Sequence, residues 1–128
     1  MRNHRDLKVW SKAYSLSLEL YRLSRGFPKE ELYGLTSQLR RAAISIGANL
    51  AEGCGRRTNA EMARFIRIAM GSSSELDHHL LLCKDLGFLQ DHKYKQIVGD
   101  LNEIRKMLSG LLDSVEGELE LSRAVAKG

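Results

Sequence analysis

The residues best suited to chemistry form a short cluster near the middle of the sequence. Glu75 and His78 are three residues apart, the spacing with which helices of di-iron bundles offer a carboxylate and an imidazole to one metal. Such a site needs two copies of the pair and two further carboxylates, but the sequence has one copy. His79 and Cys83 could share a soft metal, yet two ligands do not complete a site. We therefore predict ordinary helix residues here, with no metal and no cofactor.

Nucleophilic catalysis has equally little support. Cys54 lies between Gly53 and Gly55 in a segment predicted to end a helix, and no nearby sequence offers it a histidine base with an orienting carboxylate. The two glycines fit helix C-caps, where positive φ angles are common. A Gly-x-Gly without a third glycine or a preceding strand is a weak phosphate-loop signal. The sequence predicts neither an enzyme nor a small-molecule substrate.

Length and composition indicate one cytoplasmic domain spanning residues 1–128. A chain of 128 residues can bury a core without disulfides or a structural metal. Its two cysteines are too few for a disulfide framework, which favours reduced thiols in the cytosol. No apolar segment of the signal-peptide type follows the charged first residues, and no apolar run is long enough to span a membrane.

Apolar residues recur at helical spacing in four segments, predicted to span about residues 6–25, 34–52, 59–86 and 91–116. No segment alternates with the period of a strand, and the connections are short. This pattern predicts an all-α fold, an antiparallel up-down four-helix bundle. The predicted core positions are Val9, Ala13, Leu16, Leu20 and Leu23, then Leu35, Leu39, Ala42, Ile46 and Leu50, then Met62, Phe65, Ile66, Ala69, Ser73, Leu76, Leu80 and Cys83, and finally Ile97, Leu101, Ile104, Leu108, Leu111 and Val115.

Capping signals set the helix boundaries. Asp6 fits an N-cap of the first helix, and Thr58 with Glu61 has the form of a capping box that opens the third. After Gly117 two outcomes stay open, since the tail of residues 117–128 could extend the fourth helix or fray.

The first helix carries a second apolar stripe, formed by Leu7, Trp10, Tyr14, Leu18 and Tyr21. A bundle core needs only one stripe from each helix, so the second would form an exposed apolar patch. We predict that it is the interface of a closed cyclic homo-oligomer. The alternative is that Trp10 and one tyrosine fold beneath the loop of residues 27–33.

Charge and polarity suggest two further surfaces. Residues 1–67 hold 13 Lys/Arg against 6 Asp/Glu, whereas residues 68–128 hold 7 against 10. This asymmetry fits nucleic-acid binding, head-to-tail pairing of subunits or an ordinary solvated surface. The candidate phosphate-binding residues are Arg40, Arg41, Arg56, Arg57, Arg64, Lys8 and Lys12. A structural polar network between the second and third helices is predicted for Arg41, Ser45, Asn49, Glu52, Ser72 and Glu75.

The sequence resembles a known family, the four-helix-bundle proteins encoded in intervening sequences of bacterial 23S ribosomal RNA genes. The resemblance covers most of the chain and rests on the segments DLKVW (6–10), FPKEE (27–31), YGLTSQLRRA (33–42), NLAEG (49–53) and RFIRIA (64–69). It implies a homopentamer without established enzymatic activity, related to nucleic-acid-binding accessory proteins of diversity-generating retroelements. Gly47 stands where relatives often carry proline, a departure that leaves the fold unaffected.

Two functions therefore remain open. In the first, the protein is a non-enzymatic oligomer that contacts RNA or another nucleic acid through its basic surface. In the second, it is a protein-protein interaction scaffold whose arginines form salt bridges between subunits. The basic positions are not interleaved with aromatic residues, so the sequence does not favour recognition of single-stranded bases by stacking.

Overall fold

The computed structural model describes residues 2–127 and contains four α-helices over that range. They are α1 (Lys8–Ser24), α2 (Leu35–Cys54), α3 (Asn59–Asp85) and α4 (Asp91–Lys127). Short 3₁₀ turns precede α1 and α2, at His4–Asp6 and Lys29–Glu31, and the described residues contain no strand. The predicted all-α four-helix fold is confirmed.

The helices pack as a square in which neighbours in sequence are neighbours in space. α1 contacts α2 and α4, and α3 contacts the same two helices, so α2 and α4 lie on one diagonal. The core contains the inward stripes predicted above, except that Leu23, Phe65 and Leu111 are only half-buried. It also includes buried residues that were not predicted, namely Phe27, Ala43, Cys54, Ala63 and Leu89. No helix between residues 2 and 127 is both long and apolar enough to cross a membrane.

The start of α1 differs from the sequence prediction. Asp6 does not cap the helix, because Asn3 starts a 3₁₀ turn by accepting a hydrogen bond from the backbone N–H of Arg5, and Asp6 lies inside that turn. α1 then begins at Lys8, and its N-cap residue is Leu7, whose apolar side chain forms no capping hydrogen bond. Half of the predicted capping box forms, since the Thr58 hydroxyl oxygen accepts from the N–H of Glu61 at 3.1 Å, but the Glu61 carboxylate does not accept from the N–H of Thr58.

Gly53 has a role other than the predicted C-cap. α2 continues through Cys54, and Gly53 lies within it with ordinary helical backbone angles, because Gly87 is the described residue with a positive φ. A Cβ atom on Gly53 would lie 3.0 Å from the Cβ of Phe65 and 3.5 Å from the carbonyl oxygen of Met62. The glycine therefore allows α2 and α3 to approach closely near one end of the bundle.

The tail of the chain is helical. α4 runs through Lys127, beyond the predicted limit at residue 116, and of the two alternatives for this tail the structure has the helical one. Residues 118–127 are Glu, Leu, Glu, Leu, Ser, Arg, Ala, Val, Ala and Lys, most of them strong helix formers, so the established helix extends through them. Residues 120–127 are exposed, although Glu120 and Arg123 still border a small pocket together with Ala60 and Arg67 of α3.

Candidate nucleic-acid and subunit interfaces

The cluster with metal-ligating residue types is not arranged as a metal site. Glu75 meets His79 rather than His78, with 3.3 Å between Oε1 and Nε2, because residues four apart share a helix face. Cys83 is fully buried, and burial raises the pKa of its thiol to about 11. Across residues 2–127, no three His, Cys, Asp or Glu side chains converge closely enough to hold a metal ion.

Cys54 is enclosed at the end of α2. Its side chain is buried, and that burial raises the pKa of the thiol. The backbone N–H of Arg2 donates to the Cys54 carbonyl oxygen at 3.1 Å, which holds the N-terminal segment across this end of the bundle. A buried thiol that stays protonated at neutral pH is a poor nucleophile.

Three of the six residues predicted to form a polar network are joined to one another by hydrogen bonds. Ser45 and Ser72 link α2 to α3 through their hydroxyls at 2.8 Å, and the Asn49 amide donates to the Ser45 hydroxyl at 2.9 Å. The other three predicted members, Arg41, Glu52 and Glu75, are exposed, and the two carboxylates contact Arg56 and His79 instead.

The second stripe of α1 forms one wall of a groove on the bundle surface. Tyr14, Leu18 and Tyr21 are 51%, 39% and 43% exposed, while Leu7 and Trp10 are half-buried. The groove has a volume of about 370 Å³ and runs between α1 and α2. We call it the aromatic groove, and its lining comprises His4, Trp10, Tyr14, Ser17, Leu18, Tyr21, Ile44, Gly47, Ala48 and Ala51.

Trp10 does not pack under the loop of residues 27–33, the alternative left open above. Its indole stacks on the Tyr14 ring, with centroids 5.0 Å apart, and meets the His4 ring edge at 4.8 Å. A Cβ on Gly47 would lie 3.5 Å from the indole Nε1, so Trp10 lies directly over that glycine. Phe27 packs against Phe88 at the other end of α1, with ring centroids 5.6 Å apart.

The opposite wall of the groove was not predicted from the sequence. Ile44, Ala48 and Ala51 line it from α2, at positions i, i+4 and i+7. That spacing is itself a helical stripe and could have been recognised from the sequence. It was obscured because two of its three members are alanines.

Part of the charge asymmetry is neutralised within the chain. Three cations of the basic half pair with carboxylates of α4, at 2.8 Å for Arg2 to Glu118, 3.0 Å for Lys12 to Glu103 and 2.8 Å for Arg67 to Glu116. Lys12, a candidate phosphate-binding residue, is therefore engaged in an ion pair. The pairs of Lys12 and Arg67 lie where α1 and α3 face α4, and the pair of Arg2 ties the N-terminal segment to α4.

Two other candidate cations are held by local contacts. The Arg40 guanidinium donates to the Ser24 hydroxyl at 2.8 Å and lies 4.2 Å above the Tyr21 ring. Arg56 pairs with Glu52 at 2.6 Å and lies 4.9 Å from the centre of the Phe65 ring.

The remaining candidates are open to solvent. Lys8, Arg41, Arg57 and Arg64 are exposed, and none of them forms an ion pair with any residue in 2–127. Arg64 lies 5.7 Å from the centre of the Phe65 ring, so two arginine side chains flank that ring. We call Arg56, Arg57 and Arg64 the basic cluster.

Comparison with known proteins agrees with this fold. Residues 5–110 match the family model described as 23S rRNA-intervening sequence protein. The chain belongs to this family. The resemblance found in the sequence is thereby confirmed, while the relation to retroelement accessory proteins stays a prediction.

One solved relative supports the architecture of this family member. It is a protein with unknown function from the S23 ribosomal protein family of Bacteroides thetaiotaomicron. The TM-score is 0.77 at 24% sequence identity, with 82% of this chain and 95% of the relative covered. At this identity the similarity establishes the fold alone. No curated protein matches the chain.

Proposed function

We propose that this protein is a non-enzymatic cytoplasmic oligomer that binds RNA through the phosphate backbone. The basic cluster is the observation that carries the proposal. Arg57 and Arg64 are exposed and free of ion pairs within residues 2–127, and Arg56 lies beside them against Phe65. Two unpaired guanidinium groups, beside a third that is paired with Glu52, create a local positive potential that attracts phosphates.

The geometry of the basic cluster favours phosphate contacts over base recognition. The Phe65 ring is half-buried and flanked by two guanidinium groups, which leaves little of its face for a stacked base. Arg2, Arg56 and Arg57 also border a small pocket of about 220 Å³ beside the start of α3. Contacts of this type position a nucleic acid without reading its sequence.

Assembly of several subunits would repeat the positive potential of the basic cluster around the oligomer. The aromatic groove exposes a contiguous apolar surface, which is typical of an interface core. A heterologous contact repeated by rotation closes into a ring, and the family resemblance favours a pentamer. Each subunit would then carry one basic cluster, so that one RNA could contact several clusters.

Salt-dependent binding to an RNA hairpin of about 20 base pairs tests the RNA proposal. We expect affinity to fall steeply between roughly 50 and 200 mM salt, because displaced counterions drive binding. Arg57→Ala combined with Arg64→Ala should lower the slope of log affinity against log salt by about two, since each phosphate contact contributes about one. The matched control is Lys95→Ala with Lys106→Ala, which removes the same charge from exposed positions of α4 and should leave the slope near that of the parent.

The alternative, a scaffold for protein partners, makes the opposite prediction. An oligomeric protein that shows no RNA binding at 50 mM salt, or equal slopes for both double variants, would favour it. In this alternative, exposed arginines such as Arg57 and Arg64 form salt bridges with carboxylates of neighbouring subunits, whereas the ion pairs of Arg2 and Arg67 lie within one chain.

A further inference from the structure

The aromatic groove has the dimensions and chemistry of a helix-binding site. Its aromatic wall extends from Trp10 to Tyr21, twelve residues of α1 that span about 16 Å at 1.5 Å per residue. Ile44 is 47% exposed on the opposite wall, where Ala48 is exposed one turn further along α2, whereas Gly47 lies buried beneath Trp10. Covering the exposed apolar side chains of both walls with an apolar helix face removes them from water, which is favourable.

The end of α4 exposes two large apolar side chains. Leu121 is 67% exposed and Val125 is 73% exposed, although both belong to a continuous α-helix. With Gly117 and Ala124 they occupy positions i, i+4, i+7 and i+8, which form one narrow apolar face. Residues 118–127 extend for about 15 Å, so this segment matches the groove in length.

This segment cannot fill the groove of its own chain. The groove lies between α1 and α2, whereas α4 lies diagonally opposite α2 and is unbroken from Asp91 to Lys127. A continuous helix has no turn with which to fold back across the bundle. The occupant must therefore come from outside the chain, and a second copy supplies a segment of the required length and polarity.

One pair of opposite charges flanks the two apolar surfaces. Within residues 117–127, Glu120 is exposed beside Leu121, whereas Glu118 is already paired with Arg2 of its own chain. On the groove side, Arg41 is exposed three residues before Ile44, and Arg40 covers the Tyr21 ring. Opposite charges beside an apolar contact steer association and set its orientation.

We propose that the α4 extension of one copy, residues 117–127, docks in the aromatic groove of the next copy. This inference rests on the oligomer proposed above and identifies the element that fills its interface. Every copy then donates one helix end and accepts another. The contact is heterologous and propagates in one direction around a closed ring.

Substitution of the two exposed apolar side chains tests the donor surface. Leu121→Asp combined with Val125→Asp should weaken assembly at least about tenfold, because two charged carboxylates would have to enter an apolar groove. Light scattering should show dissociation towards the monomer mass, with helicity by circular dichroism retained, because neither side chain belongs to the core. The matched control is Leu86→Asp, which places a charge at another exposed leucine, 53% accessible, and should leave the mass unchanged.

Engineered disulfides test the pairing directly. Ala48→Cys in the groove and Ala124→Cys in the α4 extension are both exposed positions, whereas the native Cys54 and Cys83 are buried. Mild oxidation of a chain carrying both substitutions should produce a ladder of covalent multimers on denaturing gels. Neither single substitution should produce that ladder.

Two results would overturn the docking inference. One is a Leu121→Asp, Val125→Asp variant that keeps the parental oligomer mass, and the other is an oligomer that gives no ladder with the paired cysteines. Either result leaves the proposed oligomer standing. A monomeric parent at micromolar concentration would refute the assembly as a whole, whereas the salt dependence of RNA binding tests the nucleic-acid proposal separately.

Discussion

Two helical glycines, Gly53 and Gly71, should respond in opposite directions to the same substitution. A Cβ on Gly71 would have nothing within 4 Å, because that residue lies on the exposed face of α3. A Cβ on Gly53 would lie 3.0 Å from the Cβ of Phe65, an atom that moves only if the α3 backbone moves. Alanine thus meets solvent at one position and a neighbouring helix at the other.

The magnitudes follow from helix propensity and packing. Alanine is more favourable than glycine by about 1 kcal/mol inside a helix, so Gly71→Ala should stabilise the protein by up to about that amount. At Gly53 the same gain is opposed by overpacking, which typically costs about 1 to 3 kcal/mol. We expect Gly53→Ala to be destabilising by about 1 kcal/mol, since two anchored Cβ atoms cannot both relax without separating α2 from α3.

Urea unfolding at one fixed protein concentration measures both effects. A fixed concentration is needed because assembly contributes to apparent stability. The midpoint should rise for Gly71→Ala and fall for Gly53→Ala, with the slope of unfolding free energy against urea unchanged. A Gly53→Ala protein at least as stable as Gly71→Ala would refute the close approach of α2 and α3 at Phe65.

Three further outcomes are expected. Thr36→Val should stabilise the protein by about 1 kcal/mol in urea unfolding, because the buried Thr36 hydroxyl has no hydrogen-bond partner. A loss of stability would mean that this hydroxyl does form a hydrogen bond in the folded protein. Ser72→Ala should cost about 1 kcal/mol, because it removes the hydroxyl contact to Ser45, and a neutral result would mean that the contact is not stabilising. Burial raises the pKa of Cys83 to about 11, above its usual value near 9; stability should therefore fall as pH rises from about 9 towards 11, and Cys83→Ala should reduce that slope.

Much of the architecture could be predicted from helical periodicity. The inward stripe of α2, from Leu35 to Leu50, is buried at every predicted position, because it holds more large apolar side chains than any other face of that helix. The cap at Thr58 could also be predicted from the sequence, because the interaction is local and joins residues three apart.

Features that depend on two distant segments could not be predicted in this way. Asp6 matches an N-cap by composition, but Asn3 forms a competing turn that takes its place. Gly53 resembles a C-cap until the position of Phe65 on the facing helix is known. Periodicity reports which face of a helix is apolar, but it does not report which partner covers that face.

The same limit applies to the candidate sites. The second stripe of α1 was visible in the sequence, whereas the groove needs Ile44 and Ala48 from α2 beside it. Among the candidate cations, composition alone could not separate Lys12, paired with Glu103, from the exposed and unpaired Arg57. Pairing depends on which helices are neighbours, and that information comes only with the fold.

The central claim, that this protein is an RNA-binding oligomer, is tested most directly by gentle purification at low salt followed by light scattering with absorbance at 260 and 280 nm. The account predicts a particle whose protein mass is a multiple of the 14.4 kDa chain, with raised absorbance at 260 nm that ribonuclease removes. A particle of one chain, with the absorbance of protein alone, would contradict it.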